Sequence, residues 1–403
     1  MQLRYSYRLY PTPSQQSALA RAFGCARVVF NEALAARHAA YEAGEPYVSD
    51  AELYRRLTEA KRSPQRAWLA DVSSVVVQQA LADLNAAYRN FFASVTGKRK
   101  GAKVLPPRFR SRKDRRQAIR FTANSRFRLL KNGRLRLAKV GDVKVRWSRE
   151  LPAAPSSVTV IKDAAGRFFA SFVVEVNEEP LPETQAECGI DLGLGHFAVL
   201  DDGTKVTAAK FMRRAEKKLH KIQRSLSRKQ KGSKNRDKAR VQVARAHAHV
   251  ANARRDFHHK LSTTIIRENQ AVYVENLAVS GLARTRLAKS VHDAGWASFV
   301  SMLEYKARLY GRTFANTRRW EPTSQVCSAC EAKDGPKPPH VREWTCRECG
   351  TVLDRDVNAA VNIRRLGQVA AGRAETLNAC GGQVRPPATV AQALETGSLR
   401  GAT

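Results

Sequence analysis

The residues most able to do chemistry lie between positions 327 and 358, in the run CSACEAKDGPKPPHVREWTCRECGTVLDRDVN. Two CxxC pairs, Cys327/Cys330 and Cys346/Cys349, are separated by 15 residues. Each CxxC turn brings two sulfurs near one point, and two facing turns complete a tetrahedral thiolate shell of the kind Zn²⁺ favours. The spacing falls within the range of zinc ribbons. The alternatives for these cysteines are four unpaired thiols or two disulfides. A four-sulfur shell leaves no position for substrate, so one structural zinc is expected. Lys333, Lys337, Arg342 and Arg347 place this knuckle near a phosphate backbone.

Asp354 and Asp356 follow five and seven residues after Cys349. Two further acids stand out by context. Asp191 sits inside an otherwise apolar strand, where a charge is costly unless it is paired. Glu275 lies near the end of another apolar segment, AVYVENL. In an RNase H-like sheet, a first-strand aspartate, a fourth-strand glutamate and an aspartate on a late helix converge. Carboxylates that converge repel one another unless cations neutralise them. Two Mg²⁺ ions about 4 Å apart would do so and would align the attacking water with the leaving oxygen of a phosphodiester. Hard oxygen donors suit that metal. Asp191, Glu275 and Asp356 are the expected ligands and catalytic acids, and hydrolysis is expected to leave a 5′-phosphate. Asp354 is either an acid behind the site or the cap of its helix, and helix spacing puts Asn358 only loosely beside it.

These residues need a scaffold, and 403 residues suffice for two or three domains. Lys and Arg number 71 against 36 Asp and Glu, a net charge of +35 spread through the chain, which points to a polyanion partner. The 43% apolar content argues against a histone-like packaging protein. Cys25, Cys188 and Cys380 lack evident partners, and with no signal peptide this suggests a reducing interior. No apolar run approaches the roughly 20 residues that span a bilayer. A cytoplasmic protein, associated with the nucleoid when on DNA, is expected.

Residues 1–10 alternate as a strand. Thr12 and Pro13 then read as a helix cap and first-turn proline, with Leu19, Phe23, Val29, Phe30 and Leu34 on the apolar side. Ser49 to Glu52 reads as a capping box. A third helix over 72–95 carries Val76, Leu81, Leu84, Tyr88, Phe91 and Phe92 as its apolar face. Residues 98–120 hold eleven Lys or Arg and one acid, either a tether or a phosphate-binding crossing that includes Arg108 and Arg110. Hairpins turn at Asn132-Gly133 and near Asp163–Gly166. They suggest a small β-barrel or curled sheet that residues 1–10 join, followed by a linker at 178–187. Residues 188–209 read as three strands. Residues 210–260, with eighteen Lys or Arg, form a basic helical hairpin broken near Gly232–Ser233. Lys217, Lys218, Arg224 and Arg228 on it are candidate backbone contacts, and His220, His247, His249, His258 and His259 read as solvated or phosphate-facing. A helix over 293–311, a strand over 312–320 and a helix over 354–367 follow.

The segments GIDLGL (189–194), YVENL (273–277), TSQVCSAC…CREC (323–349) and DRDVNAAVNI (354–363) together resemble TnpB, the transposon-encoded RNA-guided nucleases related to type V CRISPR effectors. YRLYPTPSQQ…FGCARVVFN (7–31), AGWASFVSMLEYKARLYG (294–311) and ETLNACGGQVRP (375–386) are similar to other parts of that family. The resemblance implies an α+β multidomain fold. A β-barrel wedge domain would take 1–11 and 97–180, and a helical recognition domain 12–96. An RNase H-like RuvC domain would take 185–320 and 354–367, with the zinc ribbon at 321–353 inserted and a disordered tail at 368–403. It implies a monomeric ribonucleoprotein whose guide RNA comes from the transposon end. Such a complex reads a short motif on double-stranded DNA and the rest by base pairing, then cuts both strands at one RuvC site. Tyr47, Gln78 and Thr122 are the implied motif readers. A nuclease-inactive RNA-guided repressor of this lineage and an RNA-free recombination or junction nuclease are the competing readings. A CRISPR-associated origin would differ only in the neighbouring DNA.

Overall fold

A computed structural model describes residues 1–114, 116–338 and 340–372, with the backbone of 376–377 and 383–384. The chain divides into two compact units, Met1–Asn177 with Ile222–Arg245, and Glu178–Lys221 with Ala246–Thr403.

The first unit opens with strand β1 (Gln2–Tyr10) and the 30-residue helix α1 (Pro13–Glu42). The helix begins where expected: the Thr12 hydroxyl accepts from Gln15 N, and the Gln15 side chain accepts from Thr12 N. Helix α2 (Asp50–Arg62) is capped by Ser49 alone, because Glu52 turns forward to pair with Arg55 and Arg56. A 3₁₀ segment over Pro64–Asp71, not expected from the sequence, buries Leu69 before helix α3 (Ser74–Val95). Helix α3 buries Val76, Leu81, Leu84 and Tyr88 against α1, but Phe92 is 47% exposed. The apolar face therefore ends one turn earlier than its sequence suggests. Six more strands complete an antiparallel sheet: β2 (Gln117–Thr122), β3 (Arg128–Leu129), β4 (Arg134–Leu137), β5 (Gly141–Arg146), β6 (Ser157–Lys162) and β7 (Phe168–Glu175). Both expected hairpin turns are present, each with a left-handed glycine, Gly133 and Gly166. The strands lie in the order β2-β6-β7-β1-β5-β4-β3, with β1 at the centre. No pairing among the described residues joins β2 to β3, so the ladder is an open sheet and not a hydrogen-bonded barrel.

The second unit is built on a mixed five-stranded sheet, β10-β9-β8-β11-β12. Its strands are β8 (Glu187–Asp191), β9 (His196–Leu200), β10 (Lys205–Thr207), β11 (Ala271–Val274) and β12 (Thr313–Asn316). Strands β8, β11 and β12 are parallel, so their carboxyl ends share one edge. The 178–187 linker is not free. Glu179 N and Leu181 N bond to the carbonyls of Leu309 and Tyr310, and Arg312 donates to Pro182 O.

Between β10 and β11 run the basic helices α4 (Phe211–Ser227) and α5 (Lys234–Glu268), separated by left-handed Gly232. At 35 residues, α5 is about 52 Å long. Short helices α6 (Val279–Leu282) and α7 (Ala288–Ala294) precede α8 (Trp296–Leu309), where left-handed Gly295 separates two helices in place of the single expected one. His258, expected at the surface, is buried between Phe197 and Phe299, bonded to Ala294 O. Burial pushes its pKa down to about 4, so it packs as a neutral ring. Strands β13 (Glu343–Thr345) and β14 (Val352–Asp354) form the knuckle hairpin.

Helix α9 (Arg355–Ala370) lies across β8 and β11 and runs three residues into the expected tail. The remainder of that tail, apart from 371–372 and a short backbone pairing of 376–377 with 383–384, lies outside the described residues, as does Cys380. Two glycines set the close approach of α9 to the sheet. A Cβ on Gly189 would sit 2.1 Å from Ala360 O, and one on Gly367 would sit 2.4 Å from the Tyr273 ring. We predict that Gly189→Ala destabilises the second unit by about 1–3 kcal/mol, the range for overpacked cores. A chemical-denaturation midpoint unchanged from wild type would contradict this.

Candidate active site

Each of the three acids is delivered by a different element to the shared strand edge. Asp191 is the last residue of β8, and Glu275 directly follows β11. Asp356 lies in the first turn of α9, whose N-cap is Asp354. The Asp354 carboxylate accepts from Asp356 N and Val357 N, both at 3.0 Å, and also pairs with Lys205. The open choice at Asp354 thus resolves to a cap, which leaves Asp356 as the acid facing the site. Asn358 is 2% exposed and bonds to Ser328 N and Val326 O of the cysteine knuckle.

The electrostatics of the three acids are coupled. Burial, then the charges of Glu275 and Asp356, pushes the Asp191 carboxyl up to about 7, with Arg355 and Arg342 opposing. Burial likewise raises Glu275. Among the described residues, the four cysteines are the one group of three or more His, Cys, Asp or Glu whose ligand atoms all lie within 4.8 Å of one another, so the three acids do not all meet at that distance. A guanidinium fills part of the charge deficit: Arg342 Nη1 lies 3.1 and 3.2 Å from the two Asp356 oxygens. The sequence reading placed Arg342 with the knuckle's phosphate-facing cations. The structure turns it toward the acids, held through its carbonyl by Arg355 N at 2.8 Å.

The cysteines form a compact cluster. Cys327 Sγ lies 3.7 Å from Cys349 Sγ, and Cys330 Sγ lies 3.6 Å from Cys346 Sγ. Four sulfurs at the Zn–S bond length on a tetrahedron would be about 3.8 Å apart, so the cluster fits that metal without rearrangement. Two asparagines, Asn358, weighed above only as a neighbour of the acids, and Asn362, which sequence reasoning did not single out, dock this knuckle onto α9. Asn358 Oδ1 accepts from Ser328 N at 2.8 Å, and its amide donates to Val326 O at 2.8 Å. Asn362 donates to Thr323 O and Val326 O, each at 2.8 Å. Their i, i+4 spacing was the available signal: two amides on one helix face with the small residues Ala359 and Ala360 between them.

The expected nucleic-acid contacts are scattered over the molecule. Lys217, Lys218 and Arg224 are exposed along α4, and Arg228 is exposed just after its end. Arg108 is exposed, but Arg110 is an anchor. Its guanidinium lies 3.7 Å from the centre of the Phe30 ring and reaches Asp83, while Asn31 bonds both its N and its O. Tyr47 is 52% exposed over the Arg37 guanidinium and edge-on to Tyr88 and Phe92. Gln78 is exposed on α3, and Thr122 is half-buried at the end of β2. Among the described residues, no helix is long and apolar enough to cross a membrane.

Three family models match the chain. Residues 171–286 match OrfB_IS605, described as "Probable transposase", and residues 296–363 match the Cas12f1-like TNB domain. Residues 1–46 match a helix-turn-helix domain of OrfB_IS605, although here they form β1 and the single helix α1. A Streptomyces pristinaespiralis protein named "Putative RNA-guided DNA endonuclease" is 46% identical over 386 residues, covering 95% of this chain and 92% of its own. "Putative RNA-guided DNA endonuclease InsQ" of Escherichia coli (strain K12) is 32% identical over 94% of both chains. The fold is similar to that of the protein in a Cas12f1-sgRNA-target DNA complex, with a TM-score of 0.51 at 14% identity over 87% of this chain and 83% of the other. With these relatives spanning nearly its whole length, the chain belongs to the TnpB family, the OrfB proteins of IS605.

Proposed function

We propose that this protein is an RNA-guided DNA endonuclease of the RuvC, RNase H-like type, with Asp191, Glu275 and Asp356 as its catalytic acids. The observation that carries the proposal is the placement of those carboxylates at the end of β8, just after β11 and in the first turn of α9. The names of the relatives and the +35 charge support the nucleic-acid partners, a guide RNA and a double-stranded DNA target.

The acids supply hard oxygen donors and an excess of negative charge, which suits two Mg²⁺ ions. Bound there, the ions would activate water and stabilise the leaving oxygen of an in-line phosphodiester hydrolysis. The protein's part is positional. The carboxyl ends of β8 and β11 hold Asp191 and Glu275, and the Asp354 cap orients the first turn of α9 so that Asp356 faces them. Arg342 balances charge at Asp356 and is placed to meet a phosphate brought to the same edge. The knuckle's four thiolates would hold one structural Zn²⁺ that fixes the start of α9 through Asn358 and Asn362. A monomeric complex is proposed, with Tyr47, Gln78 and Thr122 reading the DNA motif and the exposed cations of α4 following a backbone.

Three outcomes test this reading. Asp191→Ala is expected to lower single-turnover cleavage by roughly a thousandfold or more, the scale on which losing one member of a catalytic unit is felt, while RNA and target binding persist. Wild-type cleavage in that variant would sink the nuclease assignment. The second test is pH. Because the folded-state pKa of Asp191 is raised to about 7 from an unfolded value near 4, the metal-free protein should lose stability as pH rises between those values. Cleavage at limiting Mg²⁺ should rise up to about pH 7 and then level, with the inflection moving lower as Mg²⁺ is added, because metal binds the deprotonated form. A pH–rate profile indifferent to Mg²⁺ concentration would count against it. Third, Cys346→Ser should lose its zinc by elemental analysis and melt at a lower temperature. A zinc-free variant with wild-type melting and cleavage would refute the structural role.

A further inference from the structure

The shared edge of the three parallel strands carries more than the acids. Beyond β12, which runs parallel to β11, the chain continues as Thr317-Arg318-Arg319-Trp320, with Thr317 N bonded to Val274 O at 3.0 Å. The third strand thus delivers two arginines and a tryptophan to the edge where the first two deliver Asp191 and Glu275. Trp320 is 83% exposed, and its φ of +72° is a left-handed conformation that bulky side chains rarely adopt. An indole held outward in that way, with two exposed arginines before it, has the composition of a base-stacking platform with phosphate contacts.

Beside this platform is a cleft of about 320 Å³ walled by Leu192, Leu277, Val279, Trp296 and Val300, with Glu275 and Arg319 among its lining residues. Arg319 is steadied by Asn276 Oδ1 at 3.4 Å. An apolar wall with the Arg319 guanidinium at one side suits a nucleobase attached to a phosphate. A base stacked inside a duplex could not enter such a cleft, whereas an unpaired one could.

We propose that Trp320, Arg319 and this cleft form a subsite for an unpaired nucleotide flanking the scissile phosphate. Trp320 stacks on its base, Arg319 holds the adjoining phosphate, and the cleft accepts the next base along the strand. The subsite rests on the nuclease reading of Asp191 and Glu275, and it makes strand opening at the cut a condition for capture.

The test uses the full chain loaded with its guide RNA and a matched target DNA in the Asp191→Ala background, so that the strand stays intact. 2-Aminopurine is placed at one position at a time across the cut region of each strand. The expected result is strong quenching at one or two adjacent positions, lost in Trp320→Ala and kept in Trp320→Phe. With Asp191 intact, Trp320→Ala and Arg319→Ala should each raise KM for a fully paired target about tenfold, within the range for one stacked base or lost phosphate contact, with unchanged melting temperature. A quenching profile that is flat, or identical in Trp320→Ala, overturns the subsite. Cleavage persisting in Asp191→Ala would instead overturn the nuclease reading, and the two failures are distinct.

Discussion

Helix α9 can reach the sheet only where side chains are missing. At Gly189 the strand gives way to the helix backbone, and at Gly367 the helix gives way to the Tyr273 ring. Those absent Cβ atoms set how near Asp356 comes to Asp191, and therefore whether their charges interact. Other ties hold the same register. Asp201 accepts from Gly189 N and pairs with Arg364 of α9 at 2.7 Å, and Gln368 reaches Glu187 at 2.7 Å. The carboxylate cluster is thus a by-product of backbone packing, with a cost in repulsion that the packing must absorb.

The repulsion is only partly neutralised. Arg342 sits on Asp356, but the Asp191 carboxyl is still raised. In the proposed function, that shortage of positive charge is what a divalent cation would make up, and the guanidinium at the rim is what would meet a phosphate. Asp354 contributes by being unavailable. Its oxygens are engaged by two backbone amides and Lys205, so of the two acids in the DRD run it caps the helix while Asp356 faces the other carboxylates.

Much of this was legible in the sequence because the signals were local. The CxxC pairs, the Thr12 cap with Pro13, the Asn132-Gly133 turn and the apolar run around Asp191 each report a conformation through a few adjacent residues. What was missed depended on distant partners. His258 looked like another histidine on a basic helix, and only the approach of Phe197 and Phe299 buries it. Arg110 sat in a cationic run, yet Phe30, Asn31 and Asp83 from two helices hold it. Arg342 was grouped with its neighbours by charge, although its direction is set by the chain's return at Arg355. The choice between a barrel and a curled sheet stayed open for a related reason: strand content can be read from alternation, but closure depends on the pairing of the two end strands.

The clamp formed by Asn358 and Asn362 has a consequence for efforts to shorten proteins of this kind. The cysteine knuckle looks like an excisable module, since it carries none of the three acids. Yet both amides are buried on the helix that does carry one, and their partners are the carbonyls of Thr323 and Val326 and the Ser328 amide. Cutting the loop out would strand polar groups in the interior, each costing about 1–3 kcal/mol. A miniaturised variant would need a replacement loop that offers the same carbonyls at the same places, or apolar residues of matching shape at both positions.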